Sequence, residues 1–141
     1  PEAALFRSNM RAAGVTWTSE RLVQAVVEVK DWSQDSAFMK FDFNVAPQDV
    51  SKFMGAWKRL TDQSVKNGYM TNSYGLEAVI AGSKDYSHFA FVGHTDRAAL
   101  VENFAKISAS KAYSDYSRAV DGVREAVNTT LVYILKSWPR Q

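Results

Sequence analysis

The chain contains no cysteine. That absence excludes a disulfide framework, thiolate catalysis and cysteine-ligated zinc or iron–sulfur clusters. Proline is scarce as well, with three in 141 residues, and no apolar run approaches the roughly 20 residues of a membrane span. No signal peptide is visible, so a soluble protein with no membrane partner is expected; the start at Pro1 rather than Met implies processing or truncation. An excess of one charge is lacking too. Seventeen Lys and Arg alternate with 15 Asp and Glu instead of forming a basic stripe, and nucleic acid is not an expected partner.

What is present is the composition of an ordinary globular domain, 46% hydrophobic and 23% charged, in a length that suits one core. The clearest stretch is Ser36 to Gly68. In S-A-F-M-K-F-D-F-N-V, Met39, Phe41, Phe43 and Val45 form an apolar face, while Phe38, Lys40, Asp42 and Asn44 point the other way. Pro47 then suits a first helical position. Val50, Phe53, Met54, Trp57 and Leu60 follow at helical spacing, and Asn67-Gly68 supplies a C-terminal stop.

The remaining segments are read the same way. Residues 1–14 predict a short helix with Leu5, Phe6 and Met10 as its stripe and Gly14 as its end, and Arg21 to Lys30 alternates as a strand. Further strands are predicted at Ser73–Ala81 and Ser87–His94, joined through Gly82-Ser83-Lys84-Asp85. A helix capped by Thr95 or Asp96, a second helical piece over Ala112–Val127 and a strand over Thr129–Trp138 complete the chain. Strand, helix, strand, strand, helix, strand is the order of a ferredoxin-like α+β sandwich occupying residues 36–141, with residues 1–35 as an extra N-terminal helix and strand. Those 35 residues are either an unrelated extension of the sheet edge or the tail of a preceding repeat. The second option rests on V-V-E-V-K-D-W matching Y-I-L-K-S-W, with Lys30 and Lys136 in register.

The F-D-F-N-V strand with its proline-led helix, and the segment F-A-F-V-G-H-T-D-R-A-A-L-V-E-N-F-A-K-I-S-A-S-K-A-Y-S-D-Y, resemble the dimeric α+β barrel superfamily. That group includes antibiotic-biosynthesis-type monooxygenases, stress-responsive barrel proteins, muconolactone-isomerase-like enzymes and haem-handling enzymes. The resemblance implies a homodimer joined through its sheet faces around a cavity that takes a small apolar or aromatic ligand. It implies either a cofactor-independent monooxygenase or isomerase, or a non-catalytic binding or stress-associated barrel; an interaction module of a tandem-repeat protein is the third option.

In such a barrel the helix-free sheet face lines the cavity, so alternation nominates site residues. If Phe41, Phe43, Phe89 and Phe91 face the helices, then Lys40, Asp42, Asn44, His88 and His94 face the cavity. Asp42 or His94 is the candidate general base and Asn44 the candidate for orienting a carbonyl. Phe38, Lys40, His88, Val92 and Tyr133 are expected to line the ligand cavity. No cofactor and no metal are expected, with haem on His94 as the alternative. Glu77 and Asp42, the acids well inside strands, form a further candidate pair, and Tyr113, Tyr116 and Tyr133 could offer hydroxyls.

Overall fold

The computed structural model describes residues 2–15, 21–27, 32–69, 72–82 and 85–135. Its elements are α1 (Glu2–Ala12), β1 (Arg21–Val27), β2 (Ala37–Val45), a 3-10 turn (Pro47–Asp49), α2 (Val50–Lys66), β3 (Tyr74–Gly82), β4 (His88–His94), α3 (Arg97–Ser108), α4 (Lys111–Ala119) and β5 (Arg124–Tyr133). The strands form one antiparallel sheet in the order β1-β3-β4-β2-β5. From β2 onward this is a ferredoxin-like α+β sandwich, and β1 adds a fifth strand beside β3. Among the described residues no helix is long and apolar enough to cross a membrane.

The β2 alternation sets the layers. Phe43 and Val45 are buried beneath the helices, with Ala37, Met39 and Phe41 on the same face. Helix α2 meets them with Phe53, Ala56, Trp57, Leu60 and Ser64, a stripe spaced three and four residues apart. Phe53, Leu76 and Leu100 are fully buried. Each such side chain contributes about 1.5–3 kcal/mol by leaving water. Asp96 caps α3 by accepting from the Ala99 N–H at 2.9 Å, and the Ser110 hydroxyl accepts from the Tyr113 N–H of α4 at 3.1 Å.

Three expectations are corrected. The second helical piece ends at Ala119, and the chain turns at Gly122, whose φ of 65° is left-handed, so Val120 and Val123 are buried turn residues. The last strand accordingly begins at Arg124 and pairs along the whole of β2. The third correction concerns faces. Phe43 is registered with His88, Phe41 with Ala90, Met39 with Val92 and Ala37 with His94, so His88, Val92 and His94 lie on the helix-covered face. Phe89 and Phe91, opposite Asp42 and Lys40, lie on the helix-free face. Tyr133, registered with Ala37, also belongs to the helix side and is 42% exposed. The expected strand ends at Lys30 and Trp138, the turn residues Ser83 and Lys84 and the Lys30–Lys136 match lie outside the described residues.

Candidate functional site

The residues nominated from alternation do not converge. On the helix-free face Asp42 is 5% exposed and ion-paired with the Lys40 ammonium. Lys40 also donates to the Tyr86 hydroxyl at 3.0 Å, and its ammonium stands 4.3 Å from the Tyr86 ring centre and 4.7 Å from that of Phe89. Arg21 of β1 covers the same Tyr86 ring at 4.5 Å. Asp42 is thus the buried anion of a satisfied cation–aromatic cluster. Asn44, at the strand end, reaches Glu125 at 3.4 Å. Phe38 stacks edge-on against Trp32 and Phe91 on that face. Glu77 is separated from Asp42 by Phe89, which pairs with both, so the two Cα atoms stand about 10 Å apart. Burial raises the Glu77 carboxyl above its ordinary pKa.

The histidines are core residues. His88 packs edge-on against Phe53, and its Nδ1 lies 2.9 Å from the Ser87 hydroxyl. Burial lowers its pKa. His94 is 3% exposed; burial lowers its pKa too, against the opposing charges of Asp35 and Asp96. His94 and Asp42 are on opposite faces and five residues apart in register, about 17 Å along the strand, and cannot act on one atom. Among the described residues no group of His, Asp and Glu is arranged to hold a metal ion.

A cavity of about 430 Å³ opens instead between the sheet and the helices. Met39, Phe41 and Phe43 of β2 and Val92 of β4 form its floor, Trp57 and Leu60 of α2, Phe104 and Ile107 of α3 and Tyr113 and Tyr116 of α4 its walls, and Arg124, Ala126 and Thr129 of β5 one side. Of the residues expected to line a ligand cavity, Val92 lines this one. Phe41 and Phe104 are stacked, 5.7 Å apart at 24°. Trp57 and Tyr116 meet edge to face at 6.2 Å.

Few of the lining residues are polar: Tyr113, Asn128 and Thr129, together with Tyr116 and Arg124, which are paired. Arg124 Nε donates to the Tyr116 hydroxyl at 3.1 Å, and the guanidinium lies over the Phe43 ring at 4.7 Å and the Tyr116 ring at 5.5 Å. Burial raises the Tyr116 pKa, partly offset by Arg124, so the hydroxyl stays protonated and can donate in turn. Trp57 is 4% exposed and its indole N–H has no partner within the protein. A largely apolar chamber with an arginine and a tyrosine hydroxyl can hold a planar molecule bearing an acceptor oxygen, and favours that oxygen in its anionic form.

Arg124 is hidden in the sequence because the helical pattern over Ala112–Val127 runs through it, whereas the strand begins there. The Asp121-Gly122 pair was the signal that it begins a strand. Trp57 reads as core by spacing, and only its unpaired nitrogen distinguishes it.

No family model matches the chain, and no curated protein matches it. Solved structures do. A "putative monooxygenase" from Lactobacillus acidophilus NCFM is similar over 74% of this chain with a TM-score of 0.54 at 13% identity. The chain spans 46% of that protein's length. A major regulator of staphylococcal pathogenesis is similar over 86% of this chain and 73% of its own, with a TM-score of 0.56 at 16% identity. These likenesses show the fold.

Proposed function

We propose that the protein handles a small, planar, largely apolar molecule carrying one acidic or carbonyl oxygen, bound in the cavity between the sheet and helices. The observation that carries this reading is the Arg124–Tyr116 pair, a guanidinium and a hydroxyl set among the apolar and aromatic residues that line the cavity. Phe41 and Phe104 supply flat apolar surface, and Arg124 stabilises the ligand's oxyanion.

For the chemistry we propose a cofactor-independent monooxygenase, a reading supported by the likeness to the "putative monooxygenase", to which the regulator's likeness is equal in degree. A phenol or enol ionised beside Arg124 is electron-rich enough to react with dioxygen directly. Oxidation of an activated CH2 by O2 to a carbonyl and water balances with all four electrons from the substrate. In this reading two copies join through the helix-free face bearing Phe38, Phe89 and Phe91, and no cofactor takes part.

Native mass spectrometry tests co-purified ligand and oligomeric state together. Fluorescence titration with a polycyclic phenol and its methyl ether tests the chemistry: the phenol should bind at least tenfold tighter than the ether. Arg124→Leu should remove that preference, and Trp57→Phe should remove most of the fluorescence response. Equal binding of phenol and ether in the parent protein would sink the proposal. Oxygen uptake with the bound phenol separates the enzyme from a carrier. A hemin Soret band lost in His94→Ala would favour the haem alternative.

A further inference from the structure

We propose that α1 is a latch that docks against α2 in a groove above β1 of its own chain. The sheet has edge strands at both ends, β1 and β5, and each is preceded in the chain by a helix carrying an apolar stripe. At the β5 edge the helix is seated: α4 buries Tyr116 against Trp57 of α2. At the β1 edge it is not seated. Leu5 and Phe6 of α1 are 63% and 55% exposed.

The seat exists. On the flank of α2 away from α4 lies a groove of about 500 Å³ whose apolar surface is Val26 and Val27 of β1, Met54 of α2 and Tyr74 of β3, with Lys58 and Asp62 beside them. It is the counterpart, across α2, of the place α4 fills. A helix that returns antiparallel over β1, as α4 precedes β5, brings its N-terminal half toward Val26 and Val27 at the far end of the strand. The reach suffices. Ala12 to Leu5 covers about 10 Å of helix. Arg21 to Val27 covers about 20 Å of strand. The eight intervening residues, 13–20, can span up to about 26 Å.

Own-chain docking is favoured over a second copy because Val26 and Val27 belong to the strand that α1 is tethered to. A short tether sets an effective concentration in the millimolar range, far above that of a second molecule at working dilution. The Gly14 stop, at φ 77°, ends the helix cleanly and leaves the tether to make the return. Docking would cover Met54 on one flank of α2 while Trp57 faces the ligand cavity on another, so α2 would be held from both sides.

The cysteine-free chain makes the test direct. Two double variants, Phe6→Cys with Met54→Cys and Leu5→Cys with Lys58→Cys, are oxidised at low micromolar concentration and read by non-reducing electrophoresis and intact mass. Lys58 is exposed, so the second pair does not put folding at risk. The expected result is a disulfide within one chain in either pair, with most of the protein remaining monomer-sized on the gel. Disulfide-linked dimers, reproduced by mixing the two single variants, would assign the groove to a second copy and overturn the proposal. Free thiols in both pairs would overturn it as well.

Discussion

Alanine at Gly93 should be among the most damaging small substitutions in this protein. Gly93 sits in β4 opposite Phe38, on the helix-free face. A methyl group there would stand 2.7 Å from Phe38 Cε1, and it would also press on the Asp35 carboxylate and the Ser73 hydroxyl. Those neighbours are fixed. Asp35 is 5% exposed, and its carboxylate accepts from the Ser73 hydroxyl, the Ser73 N–H at 3.2 Å and the Asn72 amide at 2.6 Å. The Gly93 N–H itself donates to the Ser73 carbonyl at 2.7 Å.

Carbon atoms rest about 3.5–4 Å apart, so the ring must retreat by about 1 Å and the Asp35–Ser73 bond must open. Overpacking of this kind costs about 1–3 kcal/mol. Disturbing a hydrogen bond to a buried carboxylate adds about 1–3 kcal/mol. A total near 3 kcal/mol lowers the melting temperature by roughly 10 °C in a domain of this size. Urea unfolding followed by circular dichroism measures it. Gly55→Ala in α2 is the control: its methyl would meet Arg59 Nη1 at 3.4 Å, and helix propensity should stabilise it by about 0.5–1 kcal/mol. A Gly93→Ala loss below about 0.5 kcal/mol with an unchanged urea slope would refute the argument. The Asp35→Ala background should absorb part of the penalty, because the obstruction is then smaller.

Lys40→Met leaves the Asp42 carboxylate buried without its cation and should cost about 3 kcal/mol in the same assay. Asp42→Asn added to it should recover part of the loss, and a double variant no better than the single would refute the pairing. Ser110→Ala removes the α4 cap and should cost about 1 kcal/mol. The pH dependence has a definite sign. Burial depresses both histidine pKa values in the folded state, so the unfolded chain takes up protons first as pH falls below about 6.5. Stability should therefore be full above that pH and decline as pH falls toward the folded-state values. His88→Gln with His94→Gln should flatten the decline between about pH 7 and 5.5, and an unchanged slope would exclude the histidines as its source.

The fold was legible where one physical pattern acts alone. In β2 one residue set is apolar and the other mixed, and in α2 the stripe is unambiguous; together with the element order they predict the sandwich. The β4 segment H-F-A-F-V-G-H defeats the same logic. Both of its residue sets can be buried, and the pair of phenylalanines reads more like core than the pair of histidines. Register with β2 decides otherwise. His88 gains an aromatic neighbour in Phe53 and a hydroxyl in Ser87, while Phe89 joins Lys40 and Tyr86 in the cation–aromatic cluster. That single reversal moved both histidines out of the candidate site. The cavity was invisible for a different reason: it is assembled from six elements, and its distinguishing groups, Tyr116 and Arg124, are ordinary residues until their neighbours are known.

The register of β5 against β2 slips between Asp42 and Phe43, where Asn128 and Ala126 are the successive partners and Val127 has none. Val127 is a residue that the ladder does not count. Removing it would leave every other pair of the two strands matched while straightening the strand at the point where it bends. Bends of this kind sharpen the local twist of a sheet. Arg124 and Ala126 lie on one side of the bend and Thr129 on the other, and all three line the cavity. The supernumerary residue thus sits in the strand that forms one side of the chamber, a place where length rather than side-chain chemistry would alter what fits.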